Sequence, residues 1–111
     1  GGWDASDEST WDSLLPDVST ILDLPHVQIR GLMSMPPLGT DAEDSRRFFQ
    51  SLRLIRDQLA SHYPQADWHE LSMGTSADYT VAVEEGATLV RVGTAIVGAR
   101  KYKSDAEREA E

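Results

Sequence analysis

The sequence predicts an α/β fold built on a parallel sheet, and two observations carry that expectation. Helical and strand-like hydrophobic periods alternate along the chain in the order α-β-α-β-α-β-α, which argues for right-handed βαβ units. Glycine and proline also fall where one period gives way to the next, as breakers should. The chain has 111 residues, 40% apolar and 26% charged, enough to build a core and suited to one domain.

Taken in order, residues 9–23 place Trp11, Leu14, Leu15, Val18, Ile21 and Leu22 at spacings of three and four, an amphipathic helix. Pro16 within it marks a first turn or a kink, and Pro25 closes the segment. Val27 to Met33 reads as a short strand, stopped by Met35-Pro36-Pro37 and Gly39. Thr40-Asp41-Ala42-Glu43 fits a capping box. The helix behind it carries Phe48, Phe49, Leu52, Ile55 and Leu59 on one side and ends near His62-Tyr63-Pro64. Trp68 to Met73 is the second strand, broken by Gly74. Ser76 is the expected N-cap of a helix over Ala77–Glu85, with Gly86 as its C′ residue. Thr88 to Val92 is the third strand, and a last short helix starts near Ala95. Parallel strands are covered on both faces and flanked on both edges. Three in a row therefore make either an unusually small α/β unit or part of something larger.

Charge and composition exclude several classes. The net charge is −9, with 19 acidic against 10 basic residues. Most of the excess lies at the two ends: Asp4, Asp7, Glu8 and Asp12 at one, and Asp105, Glu107, Glu109 and Glu111 in the acidic tail 104–111 at the other. Such a chain is a poor phosphate-backbone binder, since that affinity comes from Lys and Arg; no nucleic acid partner is expected. Arg46, Arg47, Arg53 and Arg56 are offset by Asp41, Glu43, Asp44 and Asp57 and read as a solvated helix face. With no cysteine there is neither a disulfide scaffold nor a thiolate metal site. No apolar run reaches the roughly 20 residues of a membrane span, and the first residues do not read as a signal peptide. A soluble cytoplasmic protein with no membrane partner is the expectation.

Two strand ends share one design. Gly74-Thr75-Ser76 follows the second strand and Gly93-Thr94 the third. Each sets a glycine and a hydroxyl between a strand's C-terminal end and a helix N-terminus, where free N–H groups favour an anion. Ordinary turn and capping chemistry explains the same spacing. Two consecutive loops of this kind also match the phosphate site that (β/α)8 barrels build after their last strands. Arg91 stands inside the apolar run Leu89–Val92; it either faces solvent by alternation or, in a barrel interior, points at a ligand. His26 and His62 read as surface residues, and His69 and Glu70, adjacent on a strand, point to opposite faces. No two histidines have metal-ligand spacing, and Lys101 and Lys103 read as solvated.

The stretch from Arg30 to Arg100 resembles the pyridoxal phosphate homeostasis protein family, whose fold is like the N-terminal barrel of alanine racemase. The matching pieces are Gly31-Leu32-Met33 with Met35-Pro36, and Leu71-Ser72-Met73-Gly74-Thr75-Ser76 with Asp78. Glu85-Gly86-Ala87-Thr88 and Val90 through Arg100 complete them. The resemblance implies the C-terminal part of a (β/α)8 TIM barrel over residues 1–103, followed by the tail, and pyridoxal 5′-phosphate as cofactor. It implies that Ser76, Gly93 and Thr94 hold the cofactor phosphate, that Arg91 faces the pyridine nitrogen, and that Met33, Ser72 and Gly74 lie in the same pocket. Thr75 stands where the family has a second methionine. The family's cofactor lysine belongs to the first barrel strand, and nothing matching it is found here; in this chain alone the cradle is expected to hold phosphate or sulfate. The implied role is carrying and buffering the cofactor without substrate turnover, in a monomeric parent. A fragment of a fold-type III racemase or decarboxylase, and a module that self-associates through exposed sheet edges, are the alternatives.

Overall fold

The computed structural model describes residues 8–37 and 39–98. The expectations for the acidic tail, Lys101, Lys103 and the last residues of the family motif lie outside them. Seven elements follow in the expected alternation: α1 (Glu8–Leu22), β1 (Gly31–Met33), α2 (Ala42–His62), β2 (Glu70–Thr75), α3 (Tyr79–Glu84), β3 (Leu89–Arg91) and α4 (Gly93–Val97). The strands form one parallel sheet in the order β1-β2-β3. Consecutive parallel neighbours joined by helices are what a segment of a (β/α)8 barrel consists of.

The helices cover one face. Phe49 and Leu52 of α2 and Val81 and Ala82 of α3 pack on Leu71 and Met73 of β2 in a buried cluster. Alternation along β2 sends those two side chains to the helix side and Glu70 and Ser72 to the other, matching their deeper and shallower burial. A second cluster joins Trp11 of α1 to Ile55, Leu59 and Trp68. The Trp68 indole donates to the Tyr63 carbonyl at 2.8 Å, and the Tyr63 hydroxyl donates to the Leu15 carbonyl at 2.8 Å, fastening α1 to the end of α2.

Several local expectations are corrected. Pro16 sits in the interior of α1, so it does not mark a first turn. The first strand is only Gly31–Met33, because Val27 is exposed and unpaired in the ladder. The capping box does not form: Asp41 is the N-cap and makes no side-chain cap bond, while the Thr40 hydroxyl turns back to the Pro37 carbonyl. Ser76 is not the N-cap of α3; Asp78 is, two residues later. Its carboxylate accepts instead from the Thr75 N–H at 2.8 Å and the Thr75 hydroxyl at 3.3 Å, closing the turn that carries Ser76.

Gly74 does not break β2 but lies within it, at φ +104°. A Cβ there would come within 2.7 Å of Ala82 Cβ, so the glycine admits α3 against the sheet. Gly86 is the C′ residue expected, with φ +101°. The Gly86 N–H donates to Val83 and that of Ala87 to Ala82, the paired bonds of a Schellman motif.

Of the four arginines of α2, Arg47 is exposed as expected of a wet face, while Arg46, Arg53 and Arg56 act as braces. Arg46 donates to Glu43, Glu84 and Glu85, Arg53 to the Glu85 carbonyl, and Arg56 to the carbonyls of Trp68 and His69. They tie α2 to α3 and to the entry of β2.

Candidate functional site

The sheet's uncovered face is laid out by register. Met33 pairs with Ser72, and Ser72 with Leu89; residues level with one another in a parallel sheet point to the same side. Arg91, two residues beyond Leu89, shares that side. Met33, Ser72 and Arg91, three of the residues singled out in the sequence, thus lie on one face that no helix covers among the described residues, with Met33 60% and Leu89 52% exposed.

The remaining candidates line the adjoining C-terminal edge. Thr75 pairs with Arg91, bringing the turn that holds Ser76 beside the segment that holds Gly93 and Thr94. Those two lie in the first turn of α4, two residues earlier than the expected helix start. First-turn N–H groups have no acceptor inside their helix, and a Cβ at Gly93 would meet nothing within 4 Å, so the space beside that backbone is open. Gly74 is the exception: its missing Cβ serves the α3 contact described above, on the helix side of the sheet.

Arg91 is half-buried and has no acidic partner among the described residues. Its Nη2 donates to the Ser34 main-chain carbonyl at 2.7 Å, spanning β2, and its Nε is buried without an acceptor. A guanidinium with one donor bonded to a neutral carbonyl and another orphaned carries unmet capacity, which is costly in an apolar setting. Ser34 was not legible as part of the site, since its contribution is a carbonyl.

The other titratable groups serve structure. Asp78 is buried in its turn. Glu70 accepts the Thr88 hydroxyl at 2.7 Å at the opposite end of the sheet. His69 precedes β2, so the alternation expected of the pair does not apply, and its Nε2 comes 4.0 Å from Glu70. Glu43 is held below the usual carboxylate range by its hydrogen bond to Arg46, and Arg46 is pushed up by Glu43, Glu84 and Glu85. Among the described residues no group of three His, Cys, Asp or Glu is placed to hold a metal ion, and no helix is long and apolar enough to cross a membrane.

Parallel strands, helices on one side, and an open face meeting hydroxyl- and glycine-bearing turns at the C-terminal edge define a segment of an α/β barrel. The chain belongs to the family of the alanine racemase N-terminal domain, whose match spans residues 9–101. It is 52% identical over 81 residues to the pyridoxal phosphate homeostasis protein of Aquifex aeolicus, covering 73% of this chain and 35% of that one. To the protein of the same name from Vibrio alginolyticus it is 47% identical over 79 residues, covering 71% and 33%. It therefore spans about a third of the length of these curated relatives. Among solved structures it resembles PipY of Synechococcus elongatus PCC7942, determined without PLP and with PLP bound. The TM-score is 0.65 and the identity 42%, over 78% of this chain and 39% of PipY.

Proposed function

We propose that this chain is the C-terminal part of a (β/α)8 barrel that binds pyridoxal 5′-phosphate and serves intracellular homeostasis of that cofactor as a carrier, without substrate turnover. One observation carries the reading: Met33, Ser72 and Arg91 share an uncovered face that ends at the turns holding Ser76, Gly93 and Thr94. The residues present fit the group, because Arg91 has a buried donor without an acceptor and the backbone at Gly93 borders open space. The names of the relatives and PipY with PLP bound point the same way.

In this reading the N–H groups of Gly93 and Thr94 and the Ser76 turn hold the phosphate ester, an anion suited to converging backbone donors. Met33 and Ser72 would line the pocket less directly. Arg91 offers donors only and no acceptor, so it favours an unprotonated ring nitrogen. When bound, the cofactor supplies an aldehyde that takes up amines and a ring that draws electrons from them. By keeping the ring nitrogen neutral, Arg91 weakens that withdrawal, which suits a carrier better than a catalyst. The lysine that holds the cofactor covalently is assigned to a part of the barrel that this chain does not supply.

The test is titration with pyridoxal phosphate, fixation with borohydride and peptide mapping. Reversible binding displaced by inorganic phosphate, with no single modified lysine, is the expected result. A stoichiometric adduct confined to Lys101 or Lys103 contradicts it.

A further inference from the structure

Arg91 is constrained by main chain. Its Nη2 donates to the Ser34 carbonyl at 2.7 Å. The Ser34 peptide is itself fixed, since its N–H donates to the Ser72 carbonyl at 3.1 Å. Ser34 follows β1 directly, so one residue joins the ends of all three strands: β1 by covalent continuity, β2 through Ser72 and β3 through Arg91. A guanidinium is planar, with its donors in a rigid fork. Holding one terminal nitrogen therefore restrains the orientation of the group and with it the directions of its other donors.

We propose that Ser34 is a positioning residue whose main-chain carbonyl orients Arg91 before the ligand arrives; the ligand atom Arg91 then meets, an unprotonated aromatic nitrogen, rests on the cofactor reading above. The Ser34 hydroxyl is not the agent. Alternation from Met33 turns it to the helix-covered side, where it is buried without a partner. Any residue that keeps the N–H and carbonyl in place does the same work, and proline, which lacks the N–H, does not.

The test reads the arginine side chains by 15N NMR in the unsubstituted chain. Rotation averages the two Nη signals of a solvated arginine, whereas a held Nη2 keeps them apart. Arg91 is expected to show two resolved Nη signals without any ligand, unchanged in Ser34→Ala and merged in Ser34→Pro. Averaged signals in the ligand-free, unsubstituted chain overturn the inference, whatever the chain binds.

The second arm uses pyridoxine 5′-phosphate, which has no aldehyde to react with lysine. Ser34→Ala should bind it within about twofold of the unsubstituted chain. Ser34→Pro should bind it about tenfold more weakly, with affinity for inorganic phosphate held within about twofold. Equal affinity of Ser34→Pro and the unsubstituted chain for pyridoxine 5′-phosphate overturns the positioning role, as does an equal loss for both ligands. Resolved Arg91 signals with no binding of pyridoxine 5′-phosphate leave the positioning standing and overturn the cofactor reading. If Ser34→Pro fails to fold by circular dichroism, the signals of the unsubstituted chain and of Ser34→Ala decide alone.

Discussion

Two glycines permit the close approach of β2 to β1 and of α3 to the sheet. A Cβ on Gly31 would lie 1.8 Å from the Glu70 carbonyl oxygen, so the first pair of the β1–β2 ladder closes only because that atom is missing. Gly31→Ala should destabilise the chain by about 1–3 kcal/mol, as overpacking does, read as a lower midpoint in urea. Gly74 combines φ +104° with a contact to Ala82 that a Cβ would violate, so Gly74→Ala should cost at least as much in the same measurement. Neither role was legible in the sequence. A glycine forced by a neighbouring strand looks like one forced by a turn until the register is known, and in the sequence Gly74 reads as a strand stop. Arg91 was legible as an oddity within Leu89–Val92, but not its anchor, because a main-chain carbonyl leaves no trace in residue type. Arg91→Met removes the donors and keeps the stem. It should weaken binding of pyridoxine 5′-phosphate by about tenfold or more, measured by calorimetry, with a smaller effect on inorganic phosphate.

At the scale of elements, hydrophobic period together with capping and breaker residues located the described helices and strands, while their ends followed local bonding that the period does not encode. Phe49, Leu52, Ile55 and Leu59 stand on the buried side of α2 as their spacing required. The start of that helix departed from expectation because Thr40 found the Pro37 carbonyl in place of the helix N–H groups. The same helix is tied to α3 by charge, with Arg46 bridging Glu43, Glu84 and Glu85. Opposite charges close in space but far apart in sequence were invisible before the fold was known, which is why these arginines read as solvated. Glu43, its pKa lowered from the usual 4.5 by Arg46, adds stability that is present above that value and lost as the pH falls through the lowered one. Because Glu43 is exposed, the effect is modest. The urea midpoint of Glu43→Gln should lie slightly below that of the unsubstituted chain at neutral pH, and the gap should close in acid. A gap that persists after Glu43 is protonated would assign the effect to packing.

At the scale of the whole molecule, the described residues leave sheet edges and large apolar side chains exposed. β1 and β3 each have a free edge among the described residues. A cavity of about 290 Å3 opens between α1, β1 and α2, walled by Leu14, Val18, Ile29, Leu52 and Trp68 among others. Ile96 and Val97 are 77% and 81% exposed. Unpaired edges and apolar patches of this kind drive association, and light scattering should show the isolated chain growing in mass with concentration; a strictly monomeric, cooperatively folded chain would contradict this. The α/β alternation was legible from the hydrophobic periods and the barrel was implied by the family resemblance, whereas the shared face of Met33, Ser72 and Arg91 followed only once the register was known. The central claim is that this face and its edge form one ligand site. Titrating pyridoxal phosphate into the 15N-labelled chain and following backbone amide shifts tests it most directly. The account predicts that the shifts cluster at Ser72, Ser76, Arg91, Gly93 and Thr94; shifts confined to the neighbourhood of Lys101 and Lys103, or scattered without a focus, would contradict it.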